Sequence, residues 1–274
     1  MNPLRWLVNG SPDERVGIAN RGLQYGDGLF ETVAIQDGRL LLWSRHLDRL
    51  AMGALRLGLA PINRALLTAE ATELAVGTQL AILKLLLVRE AHGRGYRASS
   101  QETDRILTLW PWPKHRVPAE GMDVMWCEMR LARQPRLAGL KHLNRLEQVL
   151  AQREFGARYA EGLMQDTDGW VIEGTMSNVF LGEEGALITP CLDYAGVAGV
   201  MRERVMSCAN DLGIRTYVDN VTRERVLKAD EIFLTNSVLG ICAVRTLPER
   251  HYGCGPIAQQ INETIRACGD AAFS

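Results

Sequence analysis

Only four lysines occur in the 274 residues, so any search for amine chemistry is confined to Lys84, Lys114, Lys141 and Lys228. A lysine amine has an ordinary pKa of ~10.4 and becomes a nucleophile only where its surroundings depress that value. Lys84 interrupts an apolar strand and is expected on its polar face. Lys114 lies in a proline-rich stretch, and Lys228 precedes Ala229-Asp230 as a solvated helix end. Lys141 differs: it sits in Leu140-Lys141-His142-Leu143-Asn144-Arg145, just ahead of a helix, with apolar neighbours and a cation close by. From spacing alone, an ordinary surface lysine is still the commoner reading of such a position.

Three further segments could serve an amine of this kind. Glu173 ends the short apolar run Trp170-Val171-Ile172 and is followed by Gly174-Thr175-Met176-Ser177-Asn178. A carboxylate there can face a cleft and pair with a cationic ring nitrogen, although a solvated strand-end glutamate is commoner. Ala195-Gly196-Val197-Ala198-Gly199-Val200-Met201-Arg202 places glycines before a helix, where free backbone N–H groups at the positive end can hold a phosphate. Thr235-Asn236-Ser237 adds hydroxyl and amide donors after an apolar strand, and Arg45 near the start of a long helix could make a charge-assisted phosphate contact. Taken singly, each is weak.

The elements that must position these groups follow from periodicity. Trp6-Leu7-Val8 reads as a strand ending in an Asn9-Gly10 turn, and a glycine-punctuated loop enters a strand through Phe30-Glu31-Thr32-Val33. Asp37-Gly38 marks a hairpin into Leu40-Leu41-Leu42. Apolar residues at 47, 50, 54 and 57 predict a helix from Trp43, and a second helix follows Pro61. Further strands are predicted at 82–88, 106–110, 124–129 and 231–234. Hairpins turn at Asp168-Gly169 and Glu184-Gly185. Helices are predicted over 144–159, with Leu146, Val149 and Leu150 on the apolar face of the first, over 199–212 and over 256–267. Three prolines between Trp110 and Pro118 suggest a linker. Helices and strands mix without strict alternation, so the chain reads as α+β in two halves: 1–112, a linker at 113–120, and 121–274 carrying Lys141.

Composition narrows the function classes. A net charge of -1, from 31 basic against 32 acidic residues, gives no basic surplus for a nucleic-acid partner. No stretch reaches the ~18–20 apolar residues of a spanning helix, and the N-terminal residues do not form a signal peptide. The six cysteines, at 127, 191, 208, 242, 254 and 268, form no C-x-x-C pair and have no histidine at zinc-ligand spacing. They read as reduced core thiols of a cytoplasmic protein that carries no metal.

In this order, the segments resemble the fold-type IV pyridoxal-phosphate family, which includes branched-chain aminotransferases, D-amino-acid aminotransferases and 4-amino-4-deoxychorismate lyases. Leu137-Ala138-Gly139-Leu140-Lys141-His142-Leu143-Asn144-Arg145-Leu146-Glu147-Gln148-Val149-Leu150 is most similar to the lyase branch. Phe30-Glu31-Thr32, Gly93-Arg94-Gly95-Tyr96 and Ala229-Asp230-Glu231 match as well, and the likeness spans nearly the whole chain. The resemblance implies a two-domain fold like that of the D-amino-acid aminotransferases, pyridoxal 5'-phosphate as cofactor, and a homodimer acting on a small molecule. It implies that Lys141 carries the cofactor as a Schiff base and moves the substrate proton, and that Glu173 pairs with the pyridine nitrogen. Arg45, the amides of Val200 and Met201, and Asn236 with Ser237 would hold the phosphate. Thr32 would assist proton transfer, and Arg94 and Tyr96 would lie on a substrate-facing loop.

The activity so implied is conversion of 4-amino-4-deoxychorismate to 4-aminobenzoate and pyruvate, a step toward folate. The nearest rival is an aminotransferase for D-amino or branched-chain amino acids on the same scaffold. A catalytically idle binding module is the rival from another class, and the presence of both Lys141 and Glu173 argues against it.

Overall fold

The computed structural model describes residues 2–12, 15–91, 93–113, 120–156, 158–253 and 255–272. Most of the predicted linker, with Lys114, lies outside the described residues, as does Cys254. The chain is α+β and separates into two compact units. Unit 1 comprises Met1–Lys114, Leu140–Asn144 and Ala272–Ser274; unit 2 comprises His115–Gly139 and Arg145–Ala271. The expected division placed Lys141 with the second half of the chain. The structure instead groups it with unit 1, because a short extended segment around it pairs with a unit 1 strand.

Unit 1 is built on five strands, β1 (Arg5–Val8), β2 (Gly28–Gln36), β3 (Arg39–Leu40), β4 (Leu80–Arg89) and β5 (Thr103–Pro111), in the order β1-β5-β4-β2-β3. All pairings are antiparallel. Side chains alternate across such a sheet. Val33, Ile35, Leu83, Leu85, Leu107 and Leu109 therefore share one buried face with Leu47, Leu50 and Ala54 of α2 (Trp43–Leu57) and Leu67 and Ala71 of α3 (Arg64–Ala75). Each buried valine, leucine or isoleucine among them contributes about 1.5–3 kcal/mol by leaving water. A short helix, α1 (Arg21–Tyr25), precedes β2. The aromatic-proline run does not begin a linker at Trp110: β5 continues through Pro111, beyond the last residue paired to β1, where a missing N–H leaves no ladder bond unmade.

Unit 2 contains nine strands: β6 (Met122–Leu131), β7 (Glu161–Asp166), β8 (Val171–Gly174), β9 (Asn178–Glu183), β10 (Ala186–Pro190), β11 (Thr216–Asp219), β12 (Glu231–Asn236), β13 (Gly240–Leu247) and β14 (Arg250–His251). Eight run in the order β11-β10-β9-β12-β13-β6-β7-β8, and β14 pairs with β13. The Phe180 and Phe233 rings stack with centres 5.0 Å apart in its core. The helices are α4 (Leu146–Gln152), α5 (Val200–Asp211), α6 (Arg223–Lys228) and α7 (Pro256–Ala267).

Helix α4 departs from expectation in length and orientation. The predicted span 144–159 shrinks to 146–152, and its apolar residues Leu146, Val149 and Leu150 face outward at 75%, 53% and 44% exposure. Gln148 and Ala151 occupy the buried face. No helix among the described residues is long and apolar enough to cross a membrane.

Candidate functional site

In unit 1 the site is assembled on β2. The hairpin partner β3 pairs only with Ile35 and Gln36, so the start of β2 has an open edge. Residues around Lys141 fill it. Phe30 N donates to the Lys141 carbonyl at 2.9 Å, Leu143 N donates to the Gly28 carbonyl at 3.0 Å, and Leu29 and His142 form an antiparallel bridge. Glycine is required at 28, where a Cβ would meet the Leu87 carbonyl oxygen at 2.5 Å and Leu143 Cδ1 at 3.0 Å.

This register opposes Lys141 to Phe30, and Lys141 Nζ lies 4.3 Å from the Phe30 ring centre. Lys84, opposite Thr32 on β4, places its own Nζ 5.5 Å from the same ring. Alternation puts Thr32 on the Phe30 face as well. Lys141, Thr32 and Lys84 thus share one face of the sheet. The sequence suggested only a polar-face lysine at 84; its proximity to Phe30 depends on strand register, which composition does not reveal.

The opposite face of β2 holds a cluster that sequence reading missed. Glu31 is 1% exposed and bonds His46 Nδ1 at 2.7 Å, Arg49 Nε at 2.8 Å, and Arg49 Nη2. Burial pushes the Glu31 carboxyl up, but the charge of Arg49 and the His46 and Arg49 hydrogen bonds outweigh it and hold the group at about 2. Burial also pushes His46 below its ordinary value, against the pull of Glu31, with Arg49 and Lys141 adding to the downward shift. A neutral His46 donates from Nδ1, and its buried Nε2 has no hydrogen-bond partner among the described residues. Arg45 is half-buried one turn before Arg49 on α2. The spacing H-x-x-R on a helix was the available signal for this cluster, since it puts both side chains on one face.

Arg94 and Tyr96 are exposed, on a loop fixed from below. The Arg21 guanidinium donates to the carbonyls of Gly95 at 2.9 Å and Tyr96 at 3.1 Å, and Gly95 N donates to the Tyr25 hydroxyl at 3.1 Å.

In unit 2, Glu173 is 4% exposed and accepts from Val197 N at 2.8 Å and Asn178 Nδ2 at 3.4 Å. Arg145 and Arg202 lie in its field. Burial lowers the pKa of both guanidiniums while the Glu173 charge pulls each back up. Asn178 Nδ2 also donates to the Val197 carbonyl at 2.9 Å. Helix α5 begins immediately beyond. Its N-cap, Gly199, offers no side-chain cap, and a Cβ there would lie 2.0 Å from Asn178 Oδ1. The first-turn amides of a helix have no intrahelical partner. At α7 the buried Glu231 satisfies two of them, accepting from Ile257 N and Ala258 N at 3.0 Å each. Among the described residues the N-cap of α5 makes no side-chain cap bond, and Val200 and Met201 occupy its first turn.

Asn236 ends β12, and its side chain shapes the following turn. Oδ1 accepts from Val238 N at 2.9 Å and Leu239 N at 2.8 Å, while Nδ2 donates to the Met176 carbonyl at 3.1 Å. Ser237 heads that turn. The structure therefore links Glu173, Asn178, the start of α5 and the 236–239 turn within unit 2, and gathers Lys141, Thr32 and Lys84 in unit 1. No group of three or more potential metal ligands occurs among the described residues.

The family model for amino-transferase class IV matches residues 28–247, which is most of the chain. The chain belongs to that family. This class IV chain is 34% identical over 241 residues to an aminodeoxychorismate lyase of Vibrio harveyi, covering 86% of this chain and 89% of that one. It is 26% identical to a D-alanine aminotransferase of Bacillus licheniformis, covering 96% of each. The crystal structure of 4-amino-4-deoxychorismate lyase from Pseudomonas aeruginosa superposes with a TM-score of 0.91 at 39% identity, covering 97% of this chain and 99% of that one.

The donor chemistry fits pyridoxal phosphate. A buried carboxylate with its geometry fixed suits a cationic ring nitrogen, and an uncapped helix start suits a phosphate dianion. Gly196, whose Cβ would press on Ile172 at 2.6 Å, lets the chain close over Glu173.

Proposed function

We propose that this chain is a pyridoxal-phosphate-dependent carbon–oxygen lyase that converts 4-amino-4-deoxychorismate to 4-aminobenzoate and pyruvate. The observation that carries this reading is the Lys-His-Leu-Asn-Arg segment paired onto β2, which sets Lys141 on the same face as Thr32 and Lys84. Lys84 on that face is a cation suited to one carboxylate of the substrate, while the Lys141 amine is taken up by the cofactor. Two lyase relatives are also more similar to this chain, at 34% and 39% identity, than the D-alanine aminotransferase at 26%.

Bound through Lys141, the cofactor supplies an electron sink for the carbon that carries the substrate amine. Lys141 is the base that takes the proton from that carbon, and Thr32 assists proton transfer to the departing three-carbon unit. Glu173 keeps the pyridine nitrogen protonated. Arg45, the Val200 and Met201 amides, Asn236 and Ser237 hold the phosphate. Lys84 is placed to meet a carboxylate, and Arg94 and Tyr96 present a substrate-side surface. Aromatisation of the ring makes the elimination favourable, so the protein's task is positioning and one acid–base group.

The protein is a homodimer of the cytoplasm in this reading. The outward apolar face of α4, with Leu146 75% exposed, is suited to cover by a second copy. Among the described residues the cysteines at 127, 191, 208 and 268 form no disulfide, which suits a reducing compartment.

The test is incubation with 4-amino-4-deoxychorismate, following 4-aminobenzoate and pyruvate together. Equal amounts are expected, with turnover and the cofactor's visible absorbance band both lost in Lys141→Ala. Pyruvate release that survives in that variant would reject the assignment. Glutamate formation from D-alanine and 2-oxoglutarate without pyruvate release from the chorismate would favour the aminotransferase.

A further inference from the structure

Glu161 opens β7, is 1% exposed, and has no part in the chemistry above. Its carboxylate is surrounded by donors from the three-residue connection between β8 and β9. Oε1 accepts from Gly162 N at 3.0 Å, Thr175 N at 3.1 Å and the Thr175 hydroxyl. Oε2 accepts from the Ser177 hydroxyl at 3.0 Å and Met176 N at 3.3 Å. Gln152 of α4 donates to the Thr175 hydroxyl from the other side. Every residue of the 175–177 loop therefore reports to one buried anion from a different strand.

Three arms leave this loop. At its front, Glu173 bonds Val197 N. At its back, Asn178 bonds the Val197 carbonyl and abuts Gly199, the N-cap of α5. From its middle, the Met176 carbonyl receives Asn236, whose Oδ1 closes the turn bearing Ser237. All three features assigned to the cofactor in unit 2 are thus braced against one loop. We infer that Glu161 is the positioning residue for this half of the cofactor site, setting the ring-nitrogen carboxylate, the α5 amides and the 236–239 turn in a single frame. The inference rests on the proposed function for its meaning, though its geometry lies wholly within unit 2.

The first test is Glu161→Gln, which turns one acceptor into a donor facing the Ser177 hydroxyl and the Met176 amide. Donors left without acceptors in a buried site release the loop. Pyridoxal phosphate affinity, read by titrating the visible band, is expected to fall tenfold or more, and the rise in Tm produced by saturating cofactor is expected to shrink. Ser177→Ala removes one donor without altering the carboxylate and is expected to weaken the cofactor about threefold; it decides the question if the glutamine variant does not fold. In the cofactor-free protein, amide exchange should rise at 197–201 and 236–239 as well as in the loop itself. Exchange confined to 174–178, or cofactor affinity within twofold of the original in the folded variants, overturns the inference. A parent protein that takes up no pyridoxal phosphate refutes the proposed function instead, and the exchange measurement still decides the role of Glu161.

Discussion

Lys141 Nζ stands 4.3 Å from the centre of the Phe30 ring, and the Lys141 carbonyl accepts a hydrogen bond from the Phe30 amide at 2.9 Å. One residue of β2 thus fixes both the backbone and the head group of the candidate amine. A cation over an aromatic face is stabilised by ~0.5–2 kcal/mol, depending on how dry the site is. Phe30→Leu keeps the backbone bond and the apolar volume but removes the ring. It should lower kcat by about threefold to tenfold while the cofactor stays covalently attached, as judged by the visible band after gel filtration. Unchanged kcat would mean that the ring does not orient the amine.

Glu173 offers a cleaner separation of binding from chemistry. Val197 N and Asn178 hold one of its oxygens, and an amide oxygen can accept those same bonds. Glu173→Gln should leave cofactor bound, while turnover falls by about 100-fold once the ring nitrogen loses its partner charge. Near-normal turnover in that variant would argue against the electron-sink role.

Much of this arrangement is legible from residue order, and what is not has a physical reason. The Asp37-Gly38 and Glu184-Gly185 turns occur where glycine with positive φ permits them, at +73° and +77°. The helix from Trp43 follows its apolar spacing, and the helix after Gly199 begins at Val200. Helix α4 misleads because periodicity identifies a stripe but not which side of the protein it faces. Its apolar stripe is the exposed one, with Leu146 outside and Gln148 and Ala151 inside. Glu161 and Glu31 are unreadable for another reason. A buried carboxylate is tolerated only where donors converge, and those donors come from residues 175–177 and from α2. Nothing local to either glutamate announces them.

Lys84 provides the test of substrate charge. Its ammonium is exposed, 5.5 Å from Phe30 and opposite Thr32 in the β4 register. A charge-assisted hydrogen bond to a carboxylate is worth ~1.5–3 kcal/mol, so Lys84→Met should raise KM by about tenfold or more with kcat within about twofold. Raised salt should weaken substrate binding less in the variant than in the parent. An unaltered KM would place the substrate carboxylates elsewhere.

The Glu31–His46 pair sets an acid limit on stability whose direction follows from the two shifts. Glu31 titrates at 4.5 when unfolded and at about 2 when folded, so between those values the unfolded chain binds the extra proton. Its contribution, a few kcal/mol by linkage, is complete above 4.5 and is lost as pH falls toward about 2. His46 is also lowered in the fold, from 6.5, chiefly by burial, so again the unfolded chain protonates first. The cost of keeping His46 neutral therefore begins to accumulate as pH falls through 6.5, and Glu31 adds to it below 4.5. Urea midpoints measured against pH should decline in that order. In Glu31→Gln the lower limb should flatten, so the parent's advantage in midpoint narrows as the solution is acidified past 4.5. An advantage that holds constant down to about 2 would show that the Glu31 carboxylate is not held by Arg49 and His46 in solution.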